Sequence, residues 1–458
     1  MKMTTGFIFI KAKAKNKLFR FLLICLAVLT PLLSIAVAPL PSYGNTAYDK
    51  NISGKGRTIK IAVLLPTEGR FAYFSKQFIN GLLLSSNNPD GSKIRYVIVN
   101  LPANAGRTNI GYIFGSLAKK GISAVVGPIF AGQLKYFAHN SVKFKIPVIT
   151  PSPLAAKEDI SPFVFGYGMT LKQEMKTEIK YAAYAGINSI SVIYPYGGYG
   201  EKILAYIRRY SLRYGINILN TAAYDSKTVD FFNNFNSIVR FHNVEQGHLT
   251  KAEEAQLGVT PYDLMHGITK AKPTIPFKGL FVIGSPSKLE LILTQLMYYN
   301  IDGFPIFGLS SLDSQSFVEK YGFYMQGAIF PNGFFKYDDN GVVKKFDAAY
   351  KKYYGKMPNI LSAEGYDIGG ILIKAAEKLP RPGAAAISGG GSLPLGLGQL
   401  QNLPDKDING IAFYGSILRV KSYKGVCGIS RLNGNRFKKG LYLFKYKNNK
   451  IYILESPF

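Results

Sequence analysis

From residue 58 onward, short apolar runs alternate with segments of helical periodicity. Ile59–Leu65 (IKIAVLL) is rich in β-branched residues and closes on Pro66-Thr67-Glu68-Gly69, which predicts a buried strand and a turn. Phe71–Leu84 then sets apolar residues at helical spacing. Ile94–Val99 predicts a strand, Asn109–Lys120 a helix stopped by Gly121, and Ser123–Val126 a strand entering Gly127-Pro128. Leu134–Lys143 predicts a helix and Ile146–Ile149 a strand ending before Pro151. Strand and helix thus alternate four times, the pattern of a parallel sheet covered on both faces.

The same grammar resumes further on. Leu171–Ala185 predicts a helix, Ser189–Tyr194 a strand, Glu201–Tyr214 a helix, Ile216–Thr221 a strand and Val229–Arg240 a helix. Leu280–Ile283, Leu289–Tyr299 and Pro305–Leu309 follow as strand, helix and strand. The prediction is an α/β chain of two doubly wound, Rossmann-like lobes meeting near residues 165–170. Lys344–Tyr354 and Ala363–Glu377 predict helices, and Gly415–Val420, Gly440–Tyr446 and Ile451–Leu454 predict a strand-rich tail. Two stretches interrupt: 242–276, polar and patternless, predicts an insertion, and Pro380–Asp407, with Gly389-Gly390-Gly391, predicts an exposed loop.

The amino terminus is of another kind. Residues 1–44 hold six basic side chains and no acid, and Phe21–Ala38 is uncharged. A basic segment followed by an apolar run predicts an export signal, with an uncleaved membrane anchor as the alternative. Residues after it would then work in the periplasm or another extracytoplasmic space. No second long apolar run occurs, which argues against a polytopic membrane protein.

Composition narrows the chemistry. The net charge is +29, from 56 Lys+Arg against 27 Asp+Glu, and only 13 of the basic residues are arginine. A lysine-dominated excess suits a solvated surface, and without a zinc finger, an RNA-reading aromatic motif or a dense basic run no nucleic-acid partner is expected. Two cysteines cannot build a disulfide scaffold, and four scattered histidines lack metal spacing, so neither a metal nor a cofactor is expected. Phosphate-binding, dinucleotide, nucleophile-elbow and zinc-protease motifs are missing, so the chain does not read as an enzyme and no catalytic residue is assigned. Asp338-Asp339-Asn340-Gly341 reads as a turn.

Ile61–Gly69, Val125–Pro128, Ile146–Pro151, Ile193–Gly200, Gly327–Phe334 and Glu364–Leu372 follow one another in an order that resembles the type I periplasmic binding proteins of the leucine/isoleucine/valine-binding kind. The insertion, Leu280–Ser285 and Leu296-Met297-Tyr298-Tyr299 before Phe307-Gly308-Leu309 also resemble penicillin-binding protein activators, which share that fold. The resemblance implies three crossovers between lobes. Residues 58–168 and 335–400 would form lobe 1, and 169–334 and 411–458 lobe 2, with the insertion at 242–276.

The resemblance further implies a ligand cleft lined by Thr67, Glu68, Phe74, Gly127, Ser152, Tyr199, Ser285 and Ser310. The family's flanking aromatics fall on Phe74 and Tyr199. Its carboxylate-holding Ser and Thr fall on Ala131 and Leu154, and its ammonium-holding acids on Thr170 and Ser310, while Gln133, Ser152, Lys172 and Glu174 lie nearby. A zwitterion buried without those partners would suffer several kcal/mol of desolvation, so the family's shape is expected without its amino-acid chemistry. The implied function is an extracytoplasmic solute receptor presenting a small molecule to an ABC permease. The alternative is an activator-like envelope protein that touches a cell-wall synthase, with membrane contact only through the N-terminal segment.

Overall fold

The computed structural model describes residues 59–86, 94–154, 161–241, 273–379 and 405–458. The expected leader, most of the expected insertion (242–272) and the Gly-rich stretch 380–404 lie outside the described residues.

The first sheet is seeded by β1 (Ile59–Leu65), β2 (Ile94–Asn100), β3 (Ala124–Val126), β4 (Val148–Thr150) and β5 (Val164–Gly166), all parallel. The connecting helices are α1 (Ala72–Ser85), α2 (Arg107–Lys119) and α3 (Leu134–Phe144). Within β1, Ile61, Val63 and Leu65 pack in one cluster with Phe78, Leu82, Ile368 and Leu372, while Ala62 and Leu64 are equally buried. Burial on both faces explains why β1 reads as an unbroken apolar run.

The second sheet holds β6 (Ser189–Pro195), β7 (Asn217–Tyr224), β8 (Gly279–Val282), β9 (Ile306–Phe307) and β10 (Ile329–Asn332), also parallel. Its helices include α4 (Leu171–Tyr184), α5 (Gly198–Tyr214), α6 (Phe232–Asn236), α7 (Pro286–Tyr298) and α8 (Gln315–Tyr321). Alternate residues enter different clusters: Ile193 and Val282 join Phe231 and Leu296, whereas Val192 and Phe281 join Ile179 and Leu204.

The chain then returns to the first lobe with α9 (Gly341–Tyr354) and α10 (Ile360–Glu377). The return is locked by close backbone approach. A Cβ on Gly81 of α1 would overlap the Ser362 carbonyl, and one on Gly365 of α10 would overlap the Phe78 carbonyl. Only glycine permits two helices this near.

Three expectations are corrected. The tail does not enter lobe 2 whole: α11 (Asp405–Leu418) packs Phe413 and Ile417 into the first core, and β11 (Ser422–Gly425), β12 (Gly428–Asn433) and β13 (Arg436–Lys439) extend the first sheet. Only β14 (Tyr442–Lys447) and β15 (Lys450–Glu455) join the second, where β14 pairs antiparallel with β10. The expected strand at Gly415–Val420 is mostly the end of α11, whose apolar residues fit either period over so short a run. The expected helix Val229–Arg240 shrinks to α6. The Phe231 amide donates to Gln295 Oε1 (2.8 Å) and Arg240 pairs with Thr274, so neighbouring elements take the backbone at both ends.

Candidate functional site

Ligand-binding loops in parallel α/β sheets follow the carboxyl ends of strands. In lobe 1, Thr67, Gly127 and Ser152 follow β1, β3 and β4, which are neighbours in the sheet. The Thr67 amide donates to Asn100 Oδ1 (3.0 Å), tying the loop after β1 to the end of β2. Thr150 Oγ1 donates to Pro128 O (2.8 Å) and accepts the Ser152 amide (3.0 Å), which fixes two loops together. Gly127 has φ +127°, and a Cβ there would press on the Leu64 carbonyl. Ser152 Oγ is buried and has no hydrogen-bond partner among the described residues.

Above these loops Phe74 is 46% exposed and packs edge-on against Tyr73. Phe71 and Phe130 form a second edge-to-face pair (4.8 Å) with the Arg70 guanidinium over Phe71, an aromatic corner the sequence reading did not single out. Glu68 is exposed beside it.

In lobe 2, Tyr199, Ser285 and Ser310 follow β6, β8 and β9, again neighbouring strands. Tyr199 is 53% exposed. The Ser310 amide donates to Glu174 Oε2 at 2.9 Å. Burial pushes the Glu174 carboxyl up to about 7, with the Ser310 bond pulling the other way. Burial, then the Glu174 charge, raises Tyr199. Tyr224 donates its hydroxyl to Ile283 O (2.9 Å) and is pushed up to about 12 by burial and then by Tyr199. Glu178, one turn beyond Glu174, is wholly buried, and burial followed by Glu174 raises it far above the usual carboxylate range. Burial lifts Asp313, which receives the Asn332 amide, to about 6. Glu174 therefore supplies an acid at Ser310, where the resembling family carries one in the loop itself.

The other carried-over positions are placed differently. Thr170 Oγ1 is engaged in the capping box of α4 with Gln173, donating to Oε1 at 2.8 Å. Leu154 is buried against Gly166, and Ala131 is exposed in a short turn. The Gln133 amide donates to Pro102 O (2.9 Å). Among the described residues no group of three or more His, Cys, Asp or Glu is placed to hold a metal.

The crossings between lobes converge on a buried charged network that the sequence reading missed. Lys439 Nζ lies 3.1 Å from Glu364 Oε1 and 4.0 Å from the Tyr167 ring centroid. Tyr167 donates to Asp367 Oδ2 (2.6 Å), and Asp367 also accepts the Val426 and Cys427 amides. Tyr442 donates to Asp338 Oδ2 (2.8 Å), linking the second crossing to the third.

Two sheets joined by three such crossings define the type I, bilobal periplasmic binding protein fold. A family model described as "Periplasmic binding protein" matches residues 58–449, and the chain belongs to that family. No curated protein matches the sequence. Among solved structures, a putative branched-chain amino acid ABC transporter from Rhodospirillum rubrum is similar at 16% identity and TM-score 0.66, covering 87% of this chain and 100% of its own. The substrate-binding protein LivJ from Streptococcus pneumoniae, in complex with isoleucine, is 18% identical with TM-score 0.58, covering 87% and 99%. A solute-binding protein from R. palustris in complex with benzoate is 16% identical with TM-score 0.56, covering 87% and 97%. At these identities the likeness is one of fold, and neither it nor the family match supports the cell-wall alternative. Among the described residues no helix is long and apolar enough to cross a membrane.

Proposed function

We propose that this protein is an extracytoplasmic receptor whose lobes close by hinge motion on a small solute and hand it to an ABC permease. The observation that carries the reading is the matched pair of loop sets. Thr67, Gly127 and Ser152 follow neighbouring strands of one sheet, and Tyr199, Ser285 and Ser310 those of the other. Phe74 and Tyr199 offer half-exposed rings to an apolar ligand body, while the free Ser152 hydroxyl and the Glu174 carboxyl offer its polar edges partners.

The solute is not held as the family holds an amino acid. Ala131 and Leu154 have no hydroxyl for a carboxylate, and the Thr170 hydroxyl is engaged in its capping box. An apolar or aromatic molecule with a hydrogen-bond-donating end fits these groups best. Thermal-shift screening of amino acids, amides, peptides, sugars and aromatic acids tests the proposal, because a ligand selective for the native state raises the melting temperature. The hit should lose about tenfold or more in affinity with Tyr199→Ala, the weight of one buried aromatic contact. A screen without any stabilising compound, or a hit indifferent to Tyr199→Ala, overturns it.

A further inference from the structure

A cavity of about 330 Å³ opens beside the first crossing, and both lobes line it. Lys172 and Lys176 enter from α4, Arg209 and Arg213 from α5, and Arg436 and Lys438 from β13. Among the described residues no lining side chain is acidic and none of the six cations forms an ion pair. Thr170 and Leu154, carried over to the amino-acid site by resemblance, line this cavity instead.

We infer that this cavity is a binding site for a polyvalent phosphate-type anion, a group carrying two or more adjacent phosphates. The volume is at the lower end of the range for small-molecule sites. Three of the chain's 13 arginines converge there, in a protein whose charge excess is otherwise lysine. The guanidinium fork pairs two N–H donors with two phosphate oxygens, which an ammonium cannot do. Six like charges around one hollow repel each other unless an anion enters. Lys438 Nζ donates to Asn433 Oδ1 at 3.1 Å and the Arg213 guanidinium lies over the Tyr214 ring, while among the described residues none of the other five cations has a side-chain hydrogen bond. Because the cations come from both lobes, an anion here also clamps one lobe to the other on this flank. The site shares no lining residue with Phe74, Tyr199 or Ser310, so it does not depend on the solute reading.

The test is calorimetric titration of the full chain with phosphate, pyrophosphate, tripolyphosphate and sulfate at constant ionic strength. Saturable binding of pyrophosphate or tripolyphosphate at one site per chain is expected. Arg209→Glu with Arg213→Glu, both exposed on α5, should weaken it by about tenfold or more without lowering the melting temperature in anion-free buffer. Lys119→Glu with Lys143→Glu, the same charge change on α2 and α3 of lobe 1, should leave it intact. Flotation with cardiolipin vesicles, whose headgroup carries two phosphates, and with phosphatidylcholine vesicles separates two sources of the phosphate. Arginine-dependent capture by the anionic vesicles, with weak binding of free pyrophosphate, assigns it to a lipid headgroup; tight free binding assigns a soluble ligand. Non-saturating heats with no vesicle capture, or equal loss in both charge-reversed pairs, overturn the inference.

Discussion

Lys439 Nζ sits 3.1 Å from Glu364 Oε1 with both side chains buried, and the pair stands where the strand β13 leaves lobe 1 for lobe 2. Burial acts to lower the Lys439 pKa, but Cys427, Glu364 and Asp367 more than reverse it, so the ammonium is held. The stabilisation is therefore complete below the ordinary lysine pKa and is lost as pH rises through the raised one.

Lys439→Met removes the cation and leaves Glu364 and Asp367 buried without it. The expected loss is about 3–5 kcal/mol, read by urea denaturation at neutral pH. Adding Glu364→Gln should return part of that loss, because the orphaned charge goes with it. If the double variant is as unstable as the single, the pair is not what holds this region.

Glu174 gives the acid side of the pH profile. Its carboxyl stands at about 7 in the fold against 4.5 for the ordinary group, raised by burial. Between those values the folded state binds the extra proton, so stability falls as pH rises from about 4.5 to 7. Asp347, lifted by burial to about 7, and Asp313, at about 6, act in the same direction. The melting temperature should therefore be higher near pH 5 than near pH 8. Glu174→Gln should flatten the slope by on the order of 3 kcal/mol across that window. An unchanged slope in the variant would show that Glu174 is ionised in the fold.

Where the sequence was legible, one physical cause dominated. β1 spans Ile59–Leu65 as read, because a doubly covered parallel strand has no polar face to blur its ends. The crossover grammar survived because each helix must bury a stripe at helical spacing. Val164–Gly166 is hidden because, unlike the equally short β3 and β4, it lies between Pro162 and Gly168 and ends in Gly166, residues that signal a turn. The tail differs for another reason: β11, β12 and β13 are short and polar, β13 being Arg436-Phe437-Lys438-Lys439, so no apolar run marks them, and which sheet each joins depends on the crossing at residues 440–441, a tertiary matter. Of the site, strand-end loops were legible by position. Glu174 stands in the sequence only as a neighbour of the carried-over positions. Its signal was the spacing: with Glu178 it puts two acids on the stripe that buries Met175 and Ile179.

Cys427 offers a chemical probe of the lobe 1 cluster it shares with Phe346, Tyr350 and Val426. It is fully buried with its thiol free, and burial is the largest of the effects that push its pKa well above the ordinary thiol value. A thiol held protonated is a poor nucleophile. In native buffer Cys427 should resist maleimide labelling mapped by mass spectrometry, and in denaturant it should label fully. Rapid native labelling at this position would mean the β11–β12 hairpin opens locally.

The α1–α10 seam makes the sharpest stability contrast. Gly365→Ala asks for a methyl inside the Phe78 carbonyl, and backbone cannot rotate away as a side chain can. The helices must separate, at an expected cost of about 1–3 kcal/mol or more. Gly115→Ala, in the interior of α2, meets only the Phe144 ring at 3.6 Å, an ordinary contact. There the helix gains from alanine, so that variant should be neutral or more stable by about 0.5–1 kcal/mol. Both changes add one methyl to a helical glycine of the same lobe, so propensity alone predicts equal effects. Opposite signs in parallel urea titrations would locate the difference in the closeness of the two helices. Equal effects would mean the seam is looser than the Gly81–Ser362 and Gly365–Phe78 approaches imply, and lobe 1 would not depend on them for its return segment.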